Sequence, residues 1–474
     1  MQTSKTFAIK MTKSKVIGKK DFYRRTLAVA VPIMIQNGIT NFVGMLDNIM
    51  IGRIGTDQMT GVSVVNQLLF VWNLCVFGGL AGIGIFTAQF YGKGDHEGIR
   101  HSMRLMLWTM LLLVLAGIAI FVFGGDTLIR LYLHADGSAA DPEKTLSFAG
   151  QYLTVMYLNL VPFALSQMYS NTLRSTGETL LPMKAGLLAV FVNLCGNYIL
   201  IYGKFGAPAL GVQGAAAATV LSRFVELFVV AFAAHRNPAR FPFVKGLYRS
   251  LRVPRSLIAQ CAKKGSPLLV NEALWSGAQA VLAQSYSLRG LSVIAAMNIS
   301  QAIGNVFIIS FIAMGNAIGI ITGQQLGAGK IKEAREDAGK HIFFSVALCV
   351  ATGVLLFAVS SLFPRIYNTT DDIRALATQF IRVNACCMPL HAFLNACYFI
   401  LRCGGRTFIT LLFDAAYCWL VSIPVAFLLV RLTPMPVVFI YLCVQLADLP
   451  KAALGFILVK RGIWANNITA YRTD

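Results

Sequence analysis

Four carboxylates, Asp47, Glu272, Asp414 and Asp448, sit inside long apolar stretches. An ionisable group there is costly and is retained for ion binding, proton transfer or a buried pair. Around Asp47, the amides Asn37, Asn41 and Asn48 and the residue Gly44 fall within about 60° of one another on a helix, with Asp47 beside them. Hydrocarbon would not tolerate that stripe, because unpaired polar groups are expensive to desolvate. It lines a wet cavity or a helix–helix seam, and the acid either handles a small cation or holds a structural hydrogen bond. Glu272 shares a helical face with Trp275, Ser276 and Gln279. A carboxylate beside a ring and amides in a partly dry cleft can exchange a proton or offer oxygens to Na⁺.

Other polar residues pose the same choice. Asn193 and Asn197, one helical turn apart, can ligate a cation or pin two helices together. His391 and Asn395 form a similar pair, with a packing histidine as the plainer reading. Asp414 has no partner nearby in sequence, whereas Asp448 has Lys451 three residues on, a spacing that suits a same-face ion pair. Arg223 precedes Glu226 by three residues and reads as a pair at the rim of its span.

Twelve spans must position these groups. The chain is 56% hydrophobic and 13% charged, against about 25% charged for a soluble domain, so it is an integral membrane protein. Hydropathy and length place the spans near 27–52, 60–86, 103–124, 148–172, 182–203, 209–234, 259–286, 292–322, 341–363, 375–401, 408–430 and 435–459. Asp47 lies twenty residues beyond Leu27, about 30 Å along a helix, close to the far interface unless Pro32 bends the path.

The net charge of +21 follows topology rather than a nucleic-acid face, so no nucleic-acid partner is expected. The N-terminal tail carries Lys5, Lys10, Lys13, Lys15, Lys19, Lys20, Arg24 and Arg25 against Asp21. The segment after span six carries Arg236, Arg240, Lys245, Arg249, Arg252, Arg255, Lys263 and Lys264 without an acid, and the C-terminal tail carries Lys460, Arg461 and Arg472. With an even span count these regions share one side, which the positive-inside rule makes cytoplasmic. The loop after span three, with Asp126, Asp136, Asp141 and Glu143 against Arg130 and Lys144, suits the opposite side. Met1–Lys20 has no cleavable signal pattern. The ten cysteines lack metal-ligand spacing and read as packing residues.

The chain also repeats itself. Ile83–Gly94 (IGIFTAQFYGKG) and Ile318–Gly329 (IGIITGQQLGAG) agree at seven of twelve positions, at an offset of 235 (318 − 83). That offset also pairs Pro32 with Pro267 and Gly55 with Gly290. Leu173–Thr179 (LRSTGET) matches Leu401–Thr407 (LRCGGRT) at an offset of 228 (401 − 173). Six spans separate the halves, so the repeat is parallel, about an axis along the membrane normal. The expected organisation is a basic tail (1–26), an N-lobe (27–234), a basic linker (235–258), a C-lobe (259–460) and a C-terminal tail (461–474). Phosphate loops, HExxH and nucleophile elbows are missing, so no cofactor and no enzyme chemistry are expected.

These motifs are similar to those of the multidrug and toxic compound extrusion (MATE) family. The resemblance rests on Pro32 with "FVGMLDNIMIGRIG", on "TAQFYGKGD", "LRSTGET" and "NLCGNYILIYGKFGAPALGVQGAAAATVLSR", and on "PLLVNEALWSGAQ", the last resembling bacterial members. It implies an all-α fold of twelve helices in two pseudo-symmetric six-helix bundles around a central cleft. It further implies export of amphipathic, often cationic or aromatic compounds, driven by entry of H⁺ or Na⁺, in a plasma membrane with both termini cytoplasmic. By position, Asp47 matches a first-helix acid implicated in cation coupling. Asn193 and Asn197 match an Asn-then-acid pair of some members, with an amide replacing the acid here, and Glu272 loosely matches a seventh-helix acid. His391 and Asn395 stand where some Na⁺-driven members carry a tenth-helix acid. The expected ion-coupling set is Asp47, Glu272, Asn193, Asn197 and Asp414. The expected cleft lining is Gln36, Asn37, Asn41, Asn66, Trp275, Gln279, Gln301, His391 and Asn395. A monomer working on small molecules within the lipid bilayer is expected. The rival readings are a lipid-carrier or metabolite flippase, which would want a more cationic cleft, and a membrane-embedded transferase, which would need clustered His, Asp or Arg at one face.

Overall fold

The computed structural model describes residues 17–133, 141–367 and 369–469. Lys5, Lys10, Lys13, Lys15, Asp136 and Arg472 of the charge pattern lie outside the described residues. Within them run twelve long helices: α1 Lys20–Gly52, α2 Thr56–Lys93, α3 His96–Leu133, α4 Pro142–Ser175, α5 Leu180–Tyr202, α6 Gly211–Arg236, α7 Arg255–Ser287, α8 Leu291–Gly327, α9 Ile331–Val359, α10 Asp371–Cys403, α11 Thr407–Leu432 and α12 Val437–Arg461. Each expected span is present, and most helices run past it. The 38 residues of α2 make about 57 Å of helix at 1.5 Å per residue, well beyond a ~30 Å hydrocarbon core. Eleven of the helices are apolar enough to cross a membrane on composition alone. The exception is α7, whose hydropathy is lowered by polar residues that include Lys263, Lys264, Asn271 and Glu272.

Apolar side chains turn outward as a bilayer requires. Leu112, Phe123, Val354 and Leu420 are exposed, while Val65, Phe86, Met106, Leu160 and Met168 fill a continuous N-lobe core between α2, α3 and α4. Local signals fix the ends. Asp141 accepts hydrogen bonds from the N–H groups of Glu143 and Lys144 with Pro142 next to it, which starts α4. Gly94 after α2 and its repeat partner Gly329 after α8 adopt φ of 77° and 74°, a left-handed turn that favours glycine.

Helices α1–α6 form one lobe and α7–α12 the other, joined where α2 packs on α7 and α8 and where α1 packs on α8. The basic linker is strapped down rather than slack. It makes two 3₁₀ turns, buries Phe243, Val244 and Leu247, and takes hydrogen bonds from Arg104 and Trp108 of α3 to the carbonyls of Gly246, Leu247 and Leu251. Residues beyond α12 fold back too: Trp464 is fully buried, and Ile468 N donates to Gln89 Oε1 at 2.8 Å. The start of α1, the linker and this segment mark one end of the molecule, here called the basic end.

Candidate functional site

A chamber opens between the lobes because matching helix faces are packed at one end and bare at the other. On α1, Val29, Ala30 and Ile33 pack against Ala313, Met314, Ala317 and Ile321 of α8. Further along, on the same side of the helix within a sector of about 120°, Asn37 is half-buried, and Asn41, Gly44 and Asn48 are exposed. A Cβ on Gly44 would touch nothing within 4 Å. The lipid stripe of α1, formed by Val31, Ile35, Phe42 and Ile49, points elsewhere. Helix α7 mirrors this arrangement. Gly265 meets Gly82 backbone to backbone and Leu269 meets Gly78, while Glu272 and Ser276 are half-buried and Trp275 and Gln279 exposed. At the repeat offset Asn37, Asn41 and Gly44 correspond to Glu272, Ser276 and Gln279, and Asn66 to Gln301, both of which are exposed. The two walls are therefore pseudo-two-fold equivalents that diverge toward the far end.

Asp47 turns from the chamber face toward its own lobe. Asn197 Nδ2 donates to Asp47 Oδ1 at 2.7 Å. Asn193, with its amide nitrogen facing the acid, donates to both carboxylate oxygens at 3.1 and 3.2 Å while its oxygen faces Thr219 Oγ1 at 3.2 Å. Asn197 Oδ1 is buried without a partner. Tyr152, placed by α4 to feel the charge of Asp47, donates to Asn66 Oδ1 at 3.4 Å. The acid is thus held by neutral amides, one of which, Asn197, keeps its own oxygen unpartnered. Hard oxygen donors of this kind suit a proton or a small cation without a transition-metal preference.

The C-lobe acids are arranged differently. The expected Asp448–Lys451 pair is not formed; Lys451 Nζ reaches Asp414 Oδ1 at 3.0 Å instead. Between Leu446 and Leu449 the helix breaks, Asp448 becomes the cap of the following segment, and its carboxylate accepts from Ser422 Oγ at 3.4 Å. Same-face spacing applies only within a continuous helix. Asp414 Oδ2 accepts from Asn271 Nδ2 at 3.2 Å, and Asn271 Oδ1 accepts from the N–H of Ala415 at 3.2 Å. That inserted side chain accompanies the widened π-turn Leu412–Ala416 in α11, a local distortion often found at functional sites. Lys451 is buried and lies 5.4 Å from the Phe413 ring centroid. Glu272 forms no hydrogen bond or ion pair among the described residues, and Arg402 and Asp414 are the charges that act on it.

The basic end is closed by a symmetric clasp. Gln89 Nε2 donates to Cys403 O at 3.0 Å, and its repeat partner Gln324 donates to Ser175 O at 2.9 Å. Each bond crosses from one lobe to the other. A Cβ on Gly92 would collide with the carbonyl of Gln324, and one on Gly327 with that of Gln89. Only glycine permits this approach of α2 and α8.

The remaining expected residues divide between wall and interior. Gln36 accepts from Arg174 Nη2 at 2.7 Å inside the lobe. His391 Nε2 faces Gln445 Oε1 at 3.0 Å, and Asn395, its Oδ1 unpartnered, packs against Gly315. Glu226 is 1% exposed, so its 2.7 Å pair with Arg223 is buried rather than at a rim, because α6 is covered there by α4. Sequence reasoning passed over Thr219, Tyr152 and Asn271 as partners, and gave Lys451 to Asp448 rather than to Asp414. Only Lys451 carried a signal, a lysine inside an apolar span.

Comparison with known proteins agrees with this geometry. The family model MatE matches residues 32–199 and 267–428, one segment in each lobe. The probable multidrug resistance protein NorM of Thermotoga maritima is 24% identical over 416 residues, covering 86% of each chain. A probable NorM of Bradyrhizobium diazoefficiens is 26% identical, covering 92% of each. Among solved structures, a multidrug resistance MATE family transporter of the MOP superfamily in an outward-facing conformation matches with TM-score 0.81 at 17% identity, covering 95% of this chain and 98% of that one. A MATE structure in a bent conformation matches with TM-score 0.83, also at 17% identity, covering 93% and 95%.

Proposed function

The chain belongs to the MatE family of membrane transporters, and from that premise we propose that it exchanges a small cation for an amphipathic compound by alternating access. The relatives named above are multidrug resistance proteins. The observation that carries the cation half of the proposal is Asp47, whose carboxylate is held by two amides and no cation, beside an unpartnered buried oxygen of Asn197. A carboxylate in this setting gains when H⁺ or Na⁺ arrives, because the one positive charge that acts on it, Arg223, is already paired with Glu226. Asp414, by contrast, already has Lys451 as its counter-ion. Glu272, without a partner at the chamber wall, supplies a negative group for the cationic end of a guest.

The cycle runs between the state with the basic end clasped and the far end open, and its converse. A ligand shifts such an equilibrium only by its difference in affinity for the two states. Cation binding at Asp47 must therefore favour one lobe arrangement, and guest binding the other. The positive-inside pattern supports a plasma-membrane setting with the basic end cytoplasmic, and export then follows inward cation flow. Reconstitution into proteoliposomes with Na⁺ and H⁺ gradients imposed separately tests the coupling. Export of a fluorescent amphiphile driven by one gradient is expected, and export indifferent to both would refute it.

A further inference from the structure

On the basic side of the chamber the two lobes enclose a cavity of about 110 Å³. Its lining is built from repeat partners: Arg174 with Arg402, Asn171 with Phe399, and Gly84 with Gly319. Two guanidinium groups, which stay charged at any physiological pH, thus share one small space with no carboxylate in its walls. Neither arginine has a carboxylate within 4.0 Å among the described residues. Arg174 donates once, to the neutral Gln36, and its buried Nε has no acceptor. The acid within electrostatic reach of Arg174, Glu226, is already taken by Arg223. Arg402 is held 5.3 and 5.9 Å from the ring centroids of Phe399 and Tyr398, which fix its position without neutralising it.

Two arginines lining one cavity inside a membrane protein, neither in contact with a carboxylate, favour an anion in that cavity. A planar guanidinium fork fits carboxylate and phosphate oxygens with paired, charge-assisted hydrogen bonds. We propose that this cavity binds the oxyanion group, a carboxylate or phosphate, of the compound that the chamber carries. The site would add anionic and zwitterionic amphiphiles to the guests of the chamber. Glu272, which acts on Arg402 from the chamber wall, is the group that an incoming oxyanion displaces electrostatically. The inference rests on the transport reading for the identity of the ligand, and its test is read by binding, without any gradient.

The test uses the whole chain in phosphatidylcholine nanodiscs and two fluorescent probes of similar body, dansylglycine (anionic) and dansylcadaverine (cationic). Arg174→Gln with Arg402→Gln should weaken dansylglycine binding roughly tenfold or more, the loss of one charge-assisted contact or better, and leave dansylcadaverine binding equal or tighter. That retained binding also shows that the variant is folded. Arg174→Lys with Arg402→Lys, which keeps the charge and loses the fork, should fall between. Equal dansylglycine affinity in wild type and the glutamine variant overturns the proposal. So does competition by added phosphatidylglycerol that is confined to wild type, which would assign the cavity to a lipid headgroup. Loss of gradient-driven export with the arginine effect intact would count against the transport reading alone.

Discussion

Lys451 and Asp414 illustrate how one residue changes the meaning of another. A buried carboxylate with a lysine at 3.0 Å and an amide at 3.2 Å has its charge and most of its hydrogen-bonding capacity met. Removing one partner strands the other, at a cost of roughly 3–5 kcal/mol. Lys451→Met should therefore lower stability in a denaturant titration by that order, and Lys451→Met with Asp414→Asn should recover most of the loss. If the single variant were as stable as wild type, the pair would carry no structural weight. The acids themselves were legible in the sequence, because a carboxylate in an apolar span is conspicuous. Their partners were not. Asn271 reaches Asp414 from another helix, Thr219 and Tyr152 reach the amides Asn193 and Asn66, and Lys451 was assigned to the wrong acid because its helix breaks at Asp448.

At the scale of the element, α11 and the α2–α8 crossing carry the specific shape. Asn271 takes the N–H of Ala415 that an unbroken helix would satisfy internally. Asn271→Ala leaves that group and one oxygen of Asp414 unpaired, about 1–3 kcal/mol for each buried group. Hydrogen exchange should quicken at amides 412–418 while α5 keeps its protection; unchanged exchange in α11 would contradict the role given to Asn271. At the crossing, Gly327→Leu must push α2 and α8 apart. The Cys403 thiol, now buried, should become reactive to maleimide when the other cysteines are replaced, and unaltered labelling would show that the clasp does not depend on this contact. The helices themselves were readable from hydropathy and length. The π-turns were not, since they arise from a side chain offered by a neighbouring helix rather than from local sequence.

For the whole molecule, the internal repeat explains the chamber. IGIFTAQFYGKG and IGIITGQQLGAG become the two halves of the clasp, in which Gln89 and Gln324 each reach a carbonyl of the opposite lobe. The amide stripe of α1 and the face of Glu272, Ser276 and Gln279 on α7 become opposing walls. The repeat offset foretold the two like-oriented halves and the equivalence of α1 and α7, but not the clasp. It did not foretell that the linker and the residues after α12 would be bound into the basic end, because their contacts run to backbone carbonyls, which sequence does not display.

The account depends on Asp47 being the group through which cation entry drives export. Measured in proteoliposomes under the gradient that drives wild type, Asp47→Asn should reduce export of a fluorescent amphiphile to the level of empty vesicles, with binding of the same compound to the purified variant retained. Gradient-driven export by Asp47→Asn at the wild-type rate would contradict it.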